Sequence, residues 1–207
     1  MRGHAAIALV VLALGGCASS EEMPAFTVAS PTTTSAFLGT TLDKPMPQPD
    51  VTLTDTAGKP FNIAEDTNGK VVALYIGYTN CPDVCPTTMA DLSVAMGSLP
   101  DSVTEQIDVV MITSDPERDT PARLGKWLGS FSYDAIGLSG PYPKIQQAAK
   151  SVGVFLEPPK KNPDGSVTVE HGAQVILFGK DGTSDLIFTS GFAPADVAHD
   201  LQVLVNE

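Results

Sequence analysis

The chain has 207 residues, with 12 basic against 24 acidic side chains and a formal net charge of −12 at pH 7. Such an acidic surface is repelled by nucleic acid and by anionic lipid headgroups, which excludes nucleic acid as a partner and a basic patch as a membrane anchor. The body is long enough to bury roughly 70% of its unfolded surface and has no need of a disulfide staple.

Residues 1–16 carry Arg2, an apolar run from Ala5 to Leu14, and then Gly15-Gly16. That is the charged start, apolar middle and small-residue cleavage pattern of an export signal. The run is too short to span a bilayer. Leu14-Gly15-Gly16-Cys17 resembles a bacterial lipobox, in which the cysteine becomes the lipidated first residue. An ordinary signal peptide with a chance cysteine is the competing reading. Lipidation at Cys17 would hold the body by acyl chains in the bacterial cell envelope, outside the cytoplasm. Residues 17–49, rich in Ser, Thr and Pro, are read as a lipidated tether. Thirty flexible residues would reach roughly 30 Å.

From residue 50 the pattern is that of one domain. Val51–Leu53 and Phe61–Ile63, around Asp55-Thr56-Ala57-Gly58, predict an N-terminal hairpin. Val71–Tyr78 is a continuous apolar strand of the kind buried on both faces. A helix follows, with Pro86 in its first turn. Asp108–Ser114 predicts a second buried strand, and Thr120-Pro121 caps and opens a helix through Trp127-Leu128. Next come a helix near Tyr142–Ser151 and strands near Val152–Leu156, Gln174–Phe178 and Asp185–Thr189. Lys180-Asp181-Gly182 supplies a hairpin turn, and Pro194 opens a last helix. Alternating strands and helices point to an α/β domain, and a cysteine pair at the first long strand–helix junction points to the thioredoxin-like arrangement.

That pair is Cys81 and Cys85, in Tyr78-Thr79-Asn80-Cys81-Pro82-Asp83-Val84-Cys85-Pro86. Four residues apart on a starting helix, two side chains share a face. The sulfurs can close a disulfide or hold one soft metal ion. A five-residue disulfide loop adds only about 2 kcal/mol of chain-entropy stabilisation, so a functional pair is favoured over a structural bridge. The helix N-terminus is expected to lower both thiol pKa values. A third soft ligand would decide for metal, and His171 is the candidate. His199 falls in the last helix as a bystander, His4 belongs to the signal, and Trp127 and Tyr75 are expected in the core.

Three segments resemble the Sco/SenC family in order: Gly77-Tyr78-Thr79-Asn80-Cys81-Pro82-Asp83-Val84-Cys85-Pro86, Thr113-Ser114-Asp115-Pro116-Glu117-Arg118-Asp119-Thr120-Pro121, and Val169-Glu170-His171-Gly172. The resemblance covers about residues 50–205. It implies a thioredoxin-like fold with a central mixed sheet, and copper, as Cu(I) or Cu(II), held by Cys81, Cys85 and His171. Two thiolates and one imidazole suit that metal. Asp115, Arg118, Asp119 and Glu170 are candidates to orient the ligands. The family usually has Asp where this chain has Glu170, and many members carry a transmembrane helix where this one looks lipidated.

Two functions follow from the resemblance. One is a copper chaperone that loads the dinuclear copper centre of a cytochrome c oxidase subunit. The other is a thiol–disulfide oxidoreductase, with Cys81 and Cys85 as redox pair, that reduces the cysteines of that recipient site. Three residues lie between the cysteines, where the thioredoxin motif has two, which favours copper. Nothing else marks a peroxide pocket. A monomer is expected.

Overall fold

The computed structural model describes residues 36–165 and 167–207. The expected export signal, Cys17 and the start of the expected tether lie outside them. The first strand, β1 (Thr40–Pro47), falls within the segment expected to be a tether. It runs antiparallel to the penultimate element of the chain, pairing Thr40 with Ile187 and Met46 with Ser184 across a register shift. The Leu38 and Gly39 amides donate to the carboxylate of Asp200, which is fully buried in the last helix, at 2.9 and 2.8 Å. The large sheet therefore takes in residues ahead of residue 50, where the tether was expected to end. Most β1 side chains are exposed. An edge strand wetted on both faces has no apolar alternation, and its prolines are tolerated there.

The expected hairpin is β2 (Thr52–Asp55) with β3 (Pro60–Asn62), followed by a single helical turn, α1 (Ile63–Asp66). Then β4 (Val71–Gly77) leads through the cysteine loop into α2 (Val84–Gly97), and a short α3 (Asp101–Thr104) precedes β5 (Ile107–Thr113). Helix α4 (Pro121–Leu128) starts as its sequence predicts: the Thr120 hydroxyl accepts from the Arg123 amide, and proline opens the first turn. Strand β6 (Ala135–Ser139) has no counterpart in the expected elements. Its five residues are short, and Gly137 breaks the apolar run. A Cβ at that position would sit 2.5 Å from the Leu128 side chain, so the glycine is what lets α4 lie directly on the sheet.

Helix α5 (Tyr142–Ser151) follows, but no strand forms at Val152–Leu156. The chain turns at Gly153 (φ 67°), and only Leu156 makes a bridge, to His171. A small ribbon, β7 (Lys160–Lys161) with β8 (Val167–Thr168), intervenes. Then β9 (Val175–Phe178), β10 (Thr183–Phe188) and α6 (Pro194–Asn206) complete the chain. The turn between β9 and β10 uses Gly182 at φ 75°, with the Asp181 carboxylate accepting from the Thr183 amide.

The eight-stranded sheet is ordered β1-β10-β9-β4-β5-β6-β2-β3. Strands β4, β5 and β6 are parallel, flanked by antiparallel β9, β10 and β1 on one side and by the β2–β3 hairpin on the other. Strand β4 sends Val71, Ala73 and Tyr75 into a core with Met89, Leu92, Leu124 and Leu201. From its other face Val72, Leu74 and Ile76 pack with Ile63, Ile145 and Ala149. Helices thus cover both faces of a mixed sheet, as the α/β expectation requires. Among the described residues no helix is long and apolar enough to cross a membrane.

Leu74 is fully buried at the centre of β4. Replacing it with alanine is expected to lower the unfolding free energy by about 2–5 kcal/mol, read from urea melts. A loss below about 1 kcal/mol would show that this face of the sheet is loosely packed.

Candidate metal centre

The centre is assembled where β4 ends. A Cβ on Gly77 would stand 2.6 Å from Tyr75 Cε1 and 3.1 Å from Cys85 Sγ, so glycine is what allows the thiol to lie against the strand. Beyond Tyr78 the loop is pinned by Asp119, which is fully buried after β5. Its carboxylate accepts from the Thr79 amide at 2.9 Å, the Thr79 hydroxyl at 2.5 Å and the Thr113 hydroxyl at 2.7 Å. Arg123 braces the same loop from α4, donating to Thr79 Oγ1 at 3.0 Å and to Asn80 Oδ1 at 2.6 Å.

Helix α2 begins at Val84, so the two cysteines do not share a helical face as expected. Cys85 sits in the first turn, fully buried; Cys81 precedes the helix and is half-buried. They remain neighbours because the Cys85 amide points back at Cys81 Sγ, at 3.4 Å. Both are free thiols.

His171 arrives from far along the chain. A short two-stranded ladder fixes its backbone: Leu156 bridges His171, the Gly172 amide donates to Phe155 O at 2.8 Å, and the Glu157 amide donates to Glu170 O at 3.0 Å. Its Nε2 lies 3.9 Å from Cys85 Sγ. Its Nδ1 lies 2.8 Å from the Gly172 carbonyl. A carbonyl can only accept, so Nδ1 carries the proton and the Nε2 lone pair faces the thiol. Two rings hold the imidazole edge-on, Tyr78 at 5.7 Å and Tyr75 at 6.5 Å between centroids.

Two ligands of one soft ion, at about 2.3 Å to sulfur and 2.0 Å to nitrogen, stand about 3.6–3.8 Å apart. The Cys85–His171 separation of 3.9 Å lies just beyond that span. Among the described residues no group of three or more His, Cys, Asp and Glu side chains already forms a metal cage.

The thiols are electrostatically unlike. Burial pushes the Cys85 thiol up to about 12. Burial also opposes ionisation of Cys81, but the amides of Asp83 and Cys85, with help from the Cys85 and Tyr78 side chains, outweigh it and hold that thiol below its ordinary value. The expected lowering of both thiols thus holds for Cys81 and fails for Cys85, because desolvation exceeds the pull of the helix N-terminus. Burial lowers the His171 pKa, only partly offset by its bond to Gly172, so the imidazole stays neutral and able to ligate to a pH below its ordinary value.

Of the expected orienting residues, Asp119 braces the loop directly. Asp115, almost fully buried, holds Arg118 by an ion pair. The Arg118 guanidinium lies 5.9 Å from the Tyr78 ring centroid, so this pair reaches His171 through an aromatic ring. Glu170 is exposed and contributes its backbone carbonyl to the ladder. His199 pairs with Asp200 on α6. Arg123, Tyr75 and Tyr78 were not among the expected site residues. Arg123 had one signal, its place four residues after Asp119 at a helix start.

A thioredoxin-like sheet carrying a free cysteine pair at the end of its central strand, with a histidine delivered beside it, defines a thiol–imidazole site of the soft-metal type. The SCO1/SenC family matches residues 40–206, and the chain belongs to that family. A candidate copper-binding protein of Stutzerimonas stutzeri is 36% identical over 135 residues, 65% of each chain. The chain spans less than two thirds of the length of the curated relatives it matches. Apo Sco1 of Thermus thermophilus is 34% identical in sequence and superposes with a TM-score of 0.72, covering 81% of this chain and 96% of that one. ScoI of Bradyrhizobium japonicum, solved with copper bound, is 31% identical with a TM-score of 0.67, covering 79% and 99%.

At pH 8 iodoacetamide is expected to modify Cys81 more than about tenfold faster than Cys85 in the folded protein, since the thiolate is the reactive form. The gap should narrow as pH rises toward 12 and Cys85 ionises. Peptide mass spectrometry reads the two sites separately, and equal rates at pH 8 would contradict the asymmetry.

Proposed function

We propose that this chain is an extracytoplasmic copper carrier that binds Cu(I) and Cu(II) through Cys81, Cys85 and His171 and delivers the metal to the dinuclear copper centre of a cytochrome c oxidase subunit. The observation that carries this reading is the 3.9 Å approach of a neutral His171 Nε2 to Cys85 Sγ, in a family whose Bradyrhizobium member was solved with copper. Two thiolates and an imidazole form a soft donor set suited to copper. Three ligands leave the ion open to a fourth from the recipient, so transfer can pass through shared coordination without free copper. Binding displaces the thiol protons, and affinity accordingly falls as pH falls.

Asp119 and Arg123 hold the loop that presents Cys81, the half-buried sulfur, toward an incoming partner. Lipidation at Cys17 would keep the carrier at a membrane of the bacterial cell envelope, where it acts as a monomer. The acidic surface is consistent with a protein partner and with no nucleic acid.

The thiol asymmetry favours a second reading. A dithiol with one ionisable, accessible sulfur and one buried, protonated sulfur is arranged for attack by Cys81 and resolution by Cys85. Such a pair could reduce the cysteines of the recipient site before it is metallated.

His171→Ala separates the two. It is expected to weaken Cu(I) and Cu(II) binding by at least about 10–100-fold, the loss typical of removing even an outer partner of a metal site. It should also abolish oxidase maturation while leaving the cysteine reduction potential nearly unchanged. Full maturation with His171→Ala would favour the redox role. Absence of sulfur-to-copper charge-transfer absorption in the copper-titrated wild type would rule out the carrier.

A further inference from the structure

Helix α4 buries Leu124 and Leu128 against the sheet. Arg123, Lys126 and Trp127, spaced i, i+3 and i+4, share the neighbouring face of the same helix. Between Asp119 and Asp134 the chain carries Arg123 and Lys126 and no carboxylate side chain, on a protein whose formal net charge is −12. Among the described residues no carboxylate pairs with Lys126. Arg123 lies 3.9 Å from Asp119, and its side chain stays half-exposed while it braces the cysteine loop.

These three side chains line a cavity of about 470 Å³, together with Ser130 and with Thr79, two residues before Cys81. Two residues of chain span at most about 7 Å, so one wall of the cavity stands that close to the backbone of the outer cysteine. Trp127 is partly buried; it packs on the core and meets Phe131 edge-on, with ring centroids 4.9 Å apart. The ring is thereby held in place and offers the rest of its surface to the cavity. Tryptophan and arginine are the side chains that most often anchor a protein interface.

We propose that this cavity is a docking site for an acidic segment of the protein that receives the metal, with carboxylates against Arg123 and Lys126 and an apolar side chain on Trp127. The site rests on the carrier reading above and adds where the recipient binds. An acidic segment is repelled by most of this protein's surface and attracted here, so the charge pattern selects an approach that brings Cys81 forward. A basic partner would be drawn to many places alike. Anionic lipid is a poorer occupant, because two cations in a concave pocket offer little to a flat surface that the remaining charge repels.

The test titrates the full chain, isotope-labelled and metal-free, with the soluble copper-bearing domain of the oxidase subunit at low salt. Trp127 is the single tryptophan of the sequence, so one indole N–H resonance reports on the cavity. That resonance should shift on binding, together with the amides of Thr79 and Lys126. Lys126→Glu should weaken the complex about tenfold. The loss should shrink in salt of about 1 M, where the screening length falls to about 3 Å. Affinity for Cu(I) should stay at the wild-type value. Lys150→Glu makes the same change in net charge on α5, which packs on the other face of the sheet, and should alter binding less than about twofold.

A Lys126→Glu protein that binds as the wild type does, or a Lys150→Glu protein that loses as much, would overturn the docking site. So would an indole resonance that does not move when the recipient is added, a result that needs no variant. A shift of that resonance with phosphatidylglycerol vesicles in place of the recipient would also overturn it and assign the cavity to lipid. A wild type that passes no Cu(I) to the recipient would instead overturn the carrier reading, and this site with it.

Discussion

Strand β4 is the constraint on which the rest depends. All seven of its residues are buried, and it is hydrogen-bonded to β5 on one side and β9 on the other. The β4–β9 register pairs Tyr75 with Val175. Cys85 lies ten residues beyond Tyr75, and His171 lies four residues before Val175. Because the two strands are antiparallel, the end of one and the start of the other meet at the same edge of the sheet. A slip of one residue in that register would turn Tyr75 from the α2 side to the α5 side and carry the histidine away from the sulfur. The centre is thus held by main-chain hydrogen bonds far more than by contacts among its own side chains.

The two sulfurs are placed for different work. Cys85 is fixed on the first turn of α2 and sealed under Tyr75 and Gly77, whereas Cys81 rides on a half-exposed loop. A buried sulfur thus lies beside a neutral imidazole, and a second, more accessible sulfur lies before the helix. The same division serves metal exchange and thiol attack alike. Residues of one family can therefore support both chemistries without a change of fold.

The acidic and basic residues of the Asp115–Pro121 segment act at one remove. Asp119 ties the cysteine loop to the end of β5, and Arg123 extends that brace along α4. Asp115 and Arg118 reach the histidine only through the Tyr78 ring. A fully buried carboxylate such as Asp119 is tolerated because several donors surround it, and those donors belong to the loop it restrains. Asp200 repeats the device at the other edge of the sheet, where it captures the amides of Leu38 and Gly39.

Much of this was legible in the order of residues. Val71–Tyr78 announced a doubly buried strand by its unbroken apolar run, Thr120-Pro121 announced a helix start, and Lys180-Asp181-Gly182 announced a turn; each is a local preference that survives folding. The motifs around Cys81, Asp115 and His171 pointed to the right family. Strand β1 was not legible, because an exposed edge strand with prolines has the composition of a linker until β10 offers it partners. Nor was β6, whose glycine breaks the pattern in order to admit α4. The opposite pKa shifts of the two thiols were also hidden, since they depend on desolvation by residues distant in the chain. Local chemistry and periodicity are written along the sequence, but burial, register and the company a buried group keeps exist only once remote segments are brought together.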